Sequence, residues 1–525
     1  MKNRLWGLEV PLGSPADEEA LRRLAAEALG IRIESLSVLR VVRKSLDARK
    51  GRQVPAWVFT LDLEMRDRAT RSAGGLRLGP VPDRPAASEA PARNLGGVRA
   101  VVVGTGPSGL FGAEALALRG ASVTVLEQGP PLEGRVSAVA GLWRAGDLHP
   151  DANVQFGEGG AGTFSDGKLT SRIKDPLSRD VLRRFAEAGA PESILEEAHP
   201  HLGTDGVRRV VRSMRAQIEG LGALFHFRRP VLDLVPRRGG WRLSTPDGAL
   251  DADVVLLAVG HSSRGIVRRL VSLGVPFRAK GFAVGVRAEH PQDWVDRRQY
   301  GRFAGHPDLT PAEYFLTYKD EETGRGVYSF CMCPGGLVVN SASEAGRLVT
   351  NGMSMSHRAS GFANAGIVVT VRPEDFGADP LKGLVFQEDL EARGYELGGG
   401  GFRAPAQSAP AFLENRADPR PLKTSFRPGT RSANLRGFFP EWVEGPLLRA
   451  LSRFDRVMPG FVERGVLLAP ETRTSSPMQV VRSDSAEPVG FPGLLLAGEG
   501  AGWSGGIVSS AVDALRVVDS WARAR

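Results

Sequence analysis

The chain has 525 residues, of which 42% are hydrophobic and 24% are charged, and its formal net charge is +9. This is an ordinary globular composition. Its 65 glycines follow no Gly-X-Y period or long repeat, which excludes collagen and solenoids. Two cysteines exclude a disulfide framework, and no apolar run approaches the roughly 18 residues of a membrane span. Because the first residues also lack an apolar signal core, we expect a cytoplasmic protein with no membrane partner.

The first part of the chain has the pattern of a small α+β module. The elements expected there are a strand, a helix and two further strands, over residues 5–10, 17–29, 37–42 and 54–63. Gly30 follows the helical pattern as a stop signal. This βαββ order predicts a module over residues 1–67, and the Pro-, Ala- and Gly-rich residues 68–97 are interpreted as a linker.

Basic side chains gather in one part of this module. They are Arg40, Arg43, Lys44, Arg49, Lys50 and Arg52. A charge run of this kind is usually a solvated hairpin, and we favour that interpretation over a nucleic-acid patch. Elsewhere the cations are scattered, so a nucleic-acid partner is not expected.

At residue 98 the pattern changes to that of a buried parallel sheet. The βαβ unit expected there has a strand, a helix and a strand, over residues 98–103, 108–119 and 121–126. Its first turn reads Gly104-Thr-Gly106-Pro-Ser-Gly109, which is the spacing of a dinucleotide fingerprint. Glycines in such a turn permit the tight bend, the approach of a pyrophosphate and close packing of helix on strand.

An acidic residue, Glu127, ends the second strand and is followed by Gln128. An acid in this place accepts hydrogen bonds from both ribose hydroxyls of an adenosine and disfavours a 2′-phosphate. The sequence therefore predicts an adenosine dinucleotide whose phosphates lie at the N-terminus of the first helix.

The middle of the chain gives weaker signals. Residues 141–175 are interpreted as a glycine-rich irregular stretch, and residues 275–470 mix strands, turns and long loops. Between them the expected elements are a helix, two strands and a buried strand, over residues 207–221, 223–245 and 253–259. His261 follows Gly260 after the buried strand, where a turn-capping role is favoured over one beside a cofactor.

A second glycine-rich turn lies near the C-terminus, between a buried strand over 493–497 and a helix expected over 507–522. It contains Gly498, Glu499, Gly505 and Gly506. The acid of such a turn can hold the ribityl chain of a flavin, and the helix N-terminus then faces the pyrimidine end, where negative charge develops on reduction. The two turns together specify FAD rather than NAD, and no second dinucleotide fingerprint lies between a strand and a helix.

These motifs resemble those of the glutathione-reductase-type flavoproteins, which bind two dinucleotides. More closely, the chain is similar to a family of uncharacterised bacterial FAD-dependent dehydrogenases with an added N-terminal α+β module. The segments that carry the resemblance are residues 104–109, 151–168, 331–336, 471–477 and 498–507. The resemblance implies a fold and FAD as cofactor, but no substrate.

The implied fold class is α/β. A Rossmann-like FAD-binding domain with a parallel sheet carries an inserted α+β substrate domain and the small N-terminal βαββ module. The FAD-binding domain is expected in two parts, over residues 98–274 and 471–525, with the substrate domain over residues 275–470 between them.

Three residues are candidates for catalysis. Successive glycines in residues 157–168 expose backbone N–H groups that suit an anion or the edge of a flavin. We expect Lys168 to bring positive charge to the flavin or substrate, and Asp166 to pair with it or relay protons; the alternative is a structural loop that holds the pyrophosphate. For Arg473, contact with an acidic substrate and simple surface pairing are equally open.

The residues expected at the cofactor come from both glycine-rich turns and the stretch between them. They are Gly104, Gly106, Pro107, Ser108, Gly109, Glu127, Gln128, Arg135, Gly159, Gly160, Gly162, Thr163, Gly260, Gly498, Glu499, Gly505, Gly506 and Ile507.

The two thiols belong to Cys331 and Cys333, and on a strand these positions would share one face. A redox pair or half of a metal site is open, but two ordinary core residues are favoured, since free cysteines are among the most buried residues. No metal site is expected. Because residues 151–170 contain no cysteine, the flavin is expected to be the only redox centre.

The sequence thus predicts an FAD-dependent oxidoreductase, a dehydrogenase or reductase that moves a hydride between flavin N5 and an unidentified small molecule. One alternative is an FAD monooxygenase or oxidase. Another is a flavin-containing protein that binds or modifies RNA through the basic N-terminal residues. NAD(P)H is left open as a transient partner at the flavin, and the oligomeric state is undetermined.

Overall fold

The computed structural model describes residues 2–49, 51–67, 76–82, 94–171, 173–418 and 421–525. Its N-terminal module consists of β1 (Lys2–Pro11), α1 (Glu18–Leu29), β2 (Leu36–Asp47), β3 (Ala56–Met65) and β4 (Arg77–Pro80). The strands form an antiparallel sheet in the order β2-β3-β1-β4, and α1 packs its apolar face on one side of it. The carboxylate of Asp17 accepts the Ala20 N–H at the start of α1, and Gly30 ends the helix in the left-handed conformation.

Strand β4 shows that part of the predicted linker belongs to the N-terminal sheet. Residues 77–80 pair with β1 between Trp6 and Asn3, although they fall inside the range 68–97. The side chain of Leu78 packs against the core of the module, so burial of this residue helps to hold the strand on the sheet edge. Residues 68–75 and 83–93, which make up most of the predicted linker, lie outside the described residues.

Four of the six basic residues of β2 and the turn after it have partners within the module. Their partners are Asp62 for Arg40, Asp47 for Arg49 and Arg52, and the ring of Trp57 for Lys44. Lys50 lies outside the described residues. This internal pairing fits a solvated hairpin better than a surface arranged for phosphates.

The rest of the chain forms two larger domains. From residue 99 the elements are β5 (Arg99–Val103), α2 (Pro107–Ala117), β6 (Ser122–Leu126), α3 (Leu132–Ala145), α4 (Leu177–Glu187), α5 (Gly203–Gly220), β7 (Leu224–His226), β8 (Asp233–Arg237), β9 (Gly240–Thr245), β10 (Gly248–Ala252), β11 (Val254–Leu257), α6 (Arg264–Ser272) and β12 (Phe277–Ala279). They are followed by β13 (Phe282–Pro291), α7 (Gln292–Tyr300), β14 (Thr317–Lys319), β15 (Gly326–Cys333), β16 (Leu337–Asn340), β17 (Thr350–Met353), β18 (Phe362–Val371), α8 (Pro373–Phe376) and α9 (Lys382–Leu397). The last elements are β19 (Ala404–Ser408), α10 (Ala409–Leu413), β20 (Thr430–Ser432), α11 (Glu441–Val457), β21 (Val466–Glu471), β22 (Met478–Val480), β23 (Leu494–Leu496) and α12 (Ile507–Ala524).

A five-stranded parallel sheet in the order β23-β11-β5-β6-β7 forms the centre of the first large domain. Helices α2, α4, α5 and α12 share one core on one face of it, and a three-stranded sheet, β10-β9-β8, shares a second core with α6 on the other. Strands buried on both faces read as continuous apolar runs, which is why the βαβ pattern is visible in the sequence. The predicted Rossmann-like domain is confirmed.

Two parts of this domain differ from the prediction. The sequence pattern misses the helices α3, α4 and α6, and the end of α3 occupies the start of the stretch 141–175 that is expected to be irregular. The fully buried apolar residues of α3 are only Leu132, Val139 and Leu142, a stripe too sparse to predict a helix. Between residues 223 and 245 the chain forms β7, β8 and β9, where two strands are expected.

The inserted domain is built on a seven-stranded sheet in the order β14-β15-β18-β13-β21-β19-β20. Its central strands β13 and β18 pair antiparallel over their whole length, and α7 and α11 pack against them in one apolar core. The insertion leaves the parallel sheet after β11 and returns before β23, and β12 and β22 pair with each other at this crossing. The predicted inserted α+β domain is confirmed.

This connectivity places the second domain beside the carboxyl ends of β5, β11 and β23, where ligands bind in open parallel sheets.

Among the described residues, no helix is long and apolar enough to cross a membrane.

Candidate functional site

The turn between β5 and α2 leaves no room for a side chain at two of its glycines. Gly104 has φ +101°, and a Cβ there would lie 2.5 Å from the Ala258 carbonyl oxygen of the neighbouring strand. A Cβ at Gly109 would overlap the carbonyl oxygen of Gly104. These two glycines have the roles that the fingerprint predicts, a bend and a close contact between helix and strand.

The N-terminus of α2 is open toward a ligand. Gly106 is its N-cap, and no side chain among the described residues caps the first N–H groups. Gly106 and Pro107 are partly exposed, and a Cβ at Gly106 would have 3.8 Å to its nearest neighbour, Gly160. Unpaired N–H groups at a helix start, together with the positive end of the helix dipole, form an anion site of the kind that binds a pyrophosphate.

Glu127 stabilises this turn through hydrogen bonds to its backbone and to neighbouring loops. Its carboxylate accepts hydrogen bonds from Thr105 N and Oγ1, at 3.0 and 2.7 Å, and from the N–H groups of Gly129 and Gly157, at 2.9 and 3.2 Å. These bonds occupy the roughly four acceptor positions of a carboxylate, and the side chain is buried. The predicted ribose contact of Glu127 stays a prediction, and it requires the hydroxyls to share or displace these donors.

The glycine-rich stretch is held in shape by Arg135. Its fully buried guanidinium donates to the carbonyl groups of Asn153, Val154 and Glu158 and to the hydroxyl of Thr163. Burial lowers the pKa of Arg135 to about 9, and the ring of carbonyl oxygens still solvates the charge. The predicted cofactor contact is therefore revised for the side chains of Arg135 and Thr163, because both are completely inaccessible and shape the loop instead.

This loop also joins the two glycine-rich turns. The N–H of Gly159 donates to the Thr105 carbonyl at 3.1 Å, and a Cβ at Gly160 would lie 3.0 Å from the Cα of Gly106. A Cβ at Gly162 would lie 3.3 Å from Ile507 at the start of α12. The sequence signals 104–109, 159–162 and 498–507 thus meet at one cleft.

The C-terminal turn presents a second uncapped helix N-terminus. The N-cap of α12 is Gly506, which lacks a side-chain cap among the described residues, and Gly505 and Gly506 are exposed. The helices α2 and α12 are tied together by Ser108, whose hydroxyl donates to the Ser510 carbonyl at 2.9 Å. The sequence predicts that Ser108 faces the cofactor. Its hydroxyl instead makes this link between the two helices.

Glu499 stands beside His261 at the edge of the cleft. The side chain of Glu499 is 26% exposed, and His261 Nδ1 lies 3.2 Å from its Oε1 atom. The other ring nitrogen, Nε2, is buried without a hydrogen-bond partner in the described part of the chain. Lys280 lies close enough to Glu499 to interact electrostatically, although burial lowers the pKa of its ammonium.

These features fit FAD. Two uncapped helix N-termini offer N–H groups to a pyrophosphate and to the pyrimidine end of a flavin, and Glu499 offers an exposed carboxylate to the ribityl hydroxyls between them. The unpartnered Nε2 of His261 needs a polar partner, because a buried ring nitrogen left unpaired is costly. Gln128 and Gly260, which follow the carboxyl ends of β6 and β11, are partly exposed.

A group of charged residues lies where the glycine-rich loop meets the inserted domain. The buried carboxylate of Asp166 lies 3.3 Å from His201 Nδ1 and 3.7 Å from both Lys168 Nζ and Arg358 Nη2. Its other oxygen accepts a hydrogen bond from Ser354. Lys168, whose side chain is 27% exposed, donates to the Met332 carbonyl of β15. The predicted pairing of Lys168 with Asp166 is present in this structure.

Several stretches of the chain match models of known families. Residues 281–474 match a family described as FAD-dependent protein, C-terminal domain-like, and residues 199–328 match one described as FAD dependent oxidoreductase. Residues 102–142 match an NAD(P)-binding Rossmann-like domain, and residues 3–59 match a domain of unknown function.

A relative with a nearly full-length match comes from Clostridium beijerinckii. This protein, described as uncharacterized, is 38% identical over 517 residues, which cover 96% of each chain. The chain belongs to the same family of FAD-dependent proteins. It is an FAD-dependent oxidoreductase, and FAD is its cofactor.

Two solved structures show a distant likeness to this flavoprotein. Glycine oxidase from Geobacillus kaustophilus is 12% identical, with a TM-score of 0.34 over 81% of this chain and 95% of that one. A geranylgeranyl bacteriochlorophyll reductase-like protein from Thermoplasma acidophilum is 14% identical, with a TM-score of 0.35 over 81% of this chain and 78% of that one. Values this low support no inference about the flavoprotein's substrate.

In the flavoprotein the surroundings of Arg473 exclude one of the two alternatives that its sequence context leaves open. Its guanidinium is buried and donates to both carboxylate oxygens of Glu391, at 2.9 and 3.1 Å, and to Ser262 and Ser343. Arg264 donates to the same carboxylate at 2.8 and 2.9 Å. Surface pairing is therefore wrong, and this geometry makes Arg473 part of a buried ion-pair network between the two large domains; substrate contact stays a prediction that these bonds do not favour.

Residues that lie far from the motifs along the chain complete the site, and the sequence alone does not predict them. His201, Arg358 and Lys280 lie in no motif, and only the tertiary fold brings them to Asp166 or Glu499. Among the described residues, no group of three or more His, Cys, Asp or Glu side chains is arranged to hold a metal ion.

Proposed function

We propose that this flavoprotein moves a hydride between N5 of its FAD and a small molecule that binds where the glycine-rich loop meets the inserted domain. The observation that carries the proposal is the path of one segment. Its Gly160 and Gly162 lie against the two helix N-termini, and six residues after Gly162 its Lys168 donates to the Met332 carbonyl of β15. The cofactor cleft and the sheet of the inserted domain therefore share one wall.

The electrostatics of this wall favour a substrate that carries negative charge or develops it. Burial raises the pKa of Asp166, but His201, Lys168 and Arg358 outweigh burial and hold that pKa well below its usual range. Burial lowers the pKa of Lys168, but Asp166 and the nearby thiols of Cys333 and Cys331 outweigh it, so the ammonium stays charged at neutral pH. A partly exposed ammonium fixed in this way can hold the carboxylate or carbonyl oxygen of a small acidic or unsaturated molecule.

FAD, when bound, supplies the two-electron chemistry at N5. The chain supplies the setting for it. The N-terminus of α12 provides positive potential at the pyrimidine end, and Glu499 with His261 orients the ribityl chain. Lys168 orients the substrate and balances its charge.

The electron donor and the location of the protein are further parts of the proposal. The chain has one dinucleotide fingerprint in a strand–turn–helix context, so a nicotinamide cofactor would dock transiently on the flavin face rather than in a domain of its own. The two cysteines are free thiols, which fits the reducing environment of the cytoplasm.

The test is an anaerobic screen of small acids, enals and nicotinamides for loss of the oxidised flavin absorbance. We expect at least one compound class to bleach the wild-type flavin. We expect Lys168→Met to weaken that reaction about tenfold or more, since it loses a charge-assisted hydrogen bond. Lys168→Arg should restore part of the rate, and Lys319→Met, which removes an exposed lysine of β14, should behave as wild type.

FAD content, measured for each variant, separates a role in substrate binding from a role in folding. If Lys168→Met retains FAD and reacts as fast as wild type with every active compound, the proposed position of the substrate is wrong. Rapid reoxidation of the reduced protein by oxygen, with a hydroxylated product, would show the monooxygenase alternative instead.

A further inference from the structure

Cys331 and Cys333 lie where β15 departs from regular pairing. The register between β15 and β18 shifts between Phe330 and Cys333, and Cys331 has φ +44°, in the left-handed region. Bulges of this kind re-aim side chains, and non-glycine residues in this conformation are concentrated at functional sites. Cys333 is buried, whereas Cys331 is partly exposed. Cys331 is therefore the more accessible residue of the two.

Two cations fix the backbone around these sulfurs. Lys168 donates to the carbonyl of Met332, the residue between the two cysteines, and Arg287 donates to the carbonyl of Cys331 at 3.0 Å. The guanidinium of Arg287 is itself buried and paired with Glu471. The cysteines are thus at the contact between the glycine-rich loop and the inserted domain, and not in a remote apolar core.

The two thiols also interact with each other. The thiol of Cys333 donates a hydrogen bond to the Cys331 carbonyl oxygen at 3.3 Å, so the Cys333 side chain turns back toward Cys331. Its interaction with the Cys331 thiol is the largest cause that lowers the pKa of Cys331. Burial and Asp166 act in the opposite direction, and Lys168 and Arg287 add to the lowering, which prevails. The pKa of Cys333 is raised by its interaction with Cys331 and by burial. Cys331 is therefore the thiol of the pair that loses its proton more readily.

We propose that Cys331 and Cys333 form a reactive dithiol that exchanges with small-molecule disulfides, with Cys331 as the attacking sulfur and Cys333 as the resolving sulfur. The Cys331 thiolate attacks one sulfur of a disulfide RSSR, forms a Cys331–S–S–R bond and releases RS⁻, which takes a proton from solvent. Cys333 then loses its proton to solvent and attacks the Cys331 sulfur. This forms the Cys331–Cys333 bond and releases a second RS⁻, so two cysteine thiols are oxidised and one disulfide is reduced to two thiols.

This exchange needs no contact between the sulfurs and the flavin, and it goes beyond the proposed hydride transfer. The neighbouring ammonium of Lys168 favours disulfides that carry carboxylates, because it offers a cation beside the attacking sulfur.

The test uses the full-length flavoprotein and oxidised glutathione as the probe. After prereduction and removal of the reductant, the protein is incubated with the disulfide, and its free thiols and intact mass are measured. We expect wild type to lose both thiols together and to gain an internal disulfide, with no lasting glutathione adduct. Since the chain has two cysteines, single variants isolate each sulfur. Cys333→Ser should accumulate a mixed disulfide at Cys331, and Cys331→Ser should stay unmodified under the same conditions.

Each outcome decides the proposal. A wild-type protein that keeps both thiols, or that takes up glutathione without closing the internal disulfide, overturns it, and so does a Cys333→Ser variant that does not react. FAD content and circular dichroism report whether the variants fold. The wild-type mass measurement remains decisive even if both variants fail to fold.

Discussion

Glu499 is a partly exposed acid at the edge of the cleft, next to His261. Removing its carboxylate by Glu499→Ala should weaken FAD binding by about 1–3 kcal/mol, since it deletes a charged hydrogen-bond acceptor for the ribityl chain. The measurement is the dissociation constant of FAD for reconstituted apoprotein, with thermal unfolding as the check on folding. Glu463→Ala, at a carboxylate that is 76% exposed, is the matched control and should leave the constant unchanged. Equal affinity in Glu499→Ala and wild type would show that this acid does not contact the cofactor.

Single residues show what the sequence can tell about this site and what it cannot. The glycines at 104, 109 and 498 are recognisable because backbone geometry or close packing demands them, and the structure puts them at one cleft. Polar residues in the same motifs are less predictable. Arg135, Thr163 and Ser108 share the sequence context of cofactor ligands, but their hydrogen bonds run to the protein itself. Spacing along a chain does not determine which way a polar side chain points.

At the scale of elements, the contact between β5 and α2 depends on the absence of a side chain at Gly109. The variant Gly109→Ala should lower both the unfolding temperature and the FAD content, because its methyl group would overlap the Gly104 carbonyl oxygen and separate helix from strand. Gly265→Ala is the control, since it lies in α6 with no atom within 4 Å of the new Cβ. It should be neutral or stabilising by up to about 1 kcal/mol, as alanine favours helices over glycine. A Gly109→Ala protein as stable as wild type would contradict this packing.

Elements with strong periodicity were predictable, and those with tertiary causes were not. The apolar runs of β5, β6, β11 and β23 and the amphipathic α1 and α12 follow directly from the sequence pattern. Strand β4 was hidden in a Pro- and Gly-rich segment, because its place is fixed by pairing with β1 rather than by its own composition. The cysteines of β15 are a similar case. An alternating strand predicts two core residues, and only the bulge and the contact with Lys168 set them apart.

At the scale of the whole molecule, the buried Glu391 joins the two large domains through Arg473 and Arg264. Burial opposes its ionisation, but the two arginines outweigh burial and lower the pKa of Glu391 from 4.5 to about 2. The carboxylate therefore stabilises the folded state fully above pH 4.5, and this contribution is lost as the pH falls toward 2.

Removing this charge should destabilise the protein in a pH-dependent way. At pH 7, Glu391→Gln should cost about 3–5 kcal/mol, because it leaves buried arginines without their partner. Between pH 4.5 and 2 the difference in unfolding temperature between wild type and variant should shrink. Asp251→Asn, which breaks an exposed pair with Arg242, is the control and should change little at any pH. A constant difference across this range would contradict the lowered pKa of Glu391.

The central claim is that the two glycine-rich turns, far apart in the chain, form one site for FAD. The most direct measurement is to purify the full-length protein, release its cofactor by denaturation and identify the flavin by chromatography and mass. We predict a yellow protein that releases about one FAD per chain. The glycine-rich turn over residues 104–109 suits a dinucleotide, and the one over residues 498–507 suits the flavin. Release of FMN alone, or a protein that stays colourless and does not bind added FAD, would contradict the account.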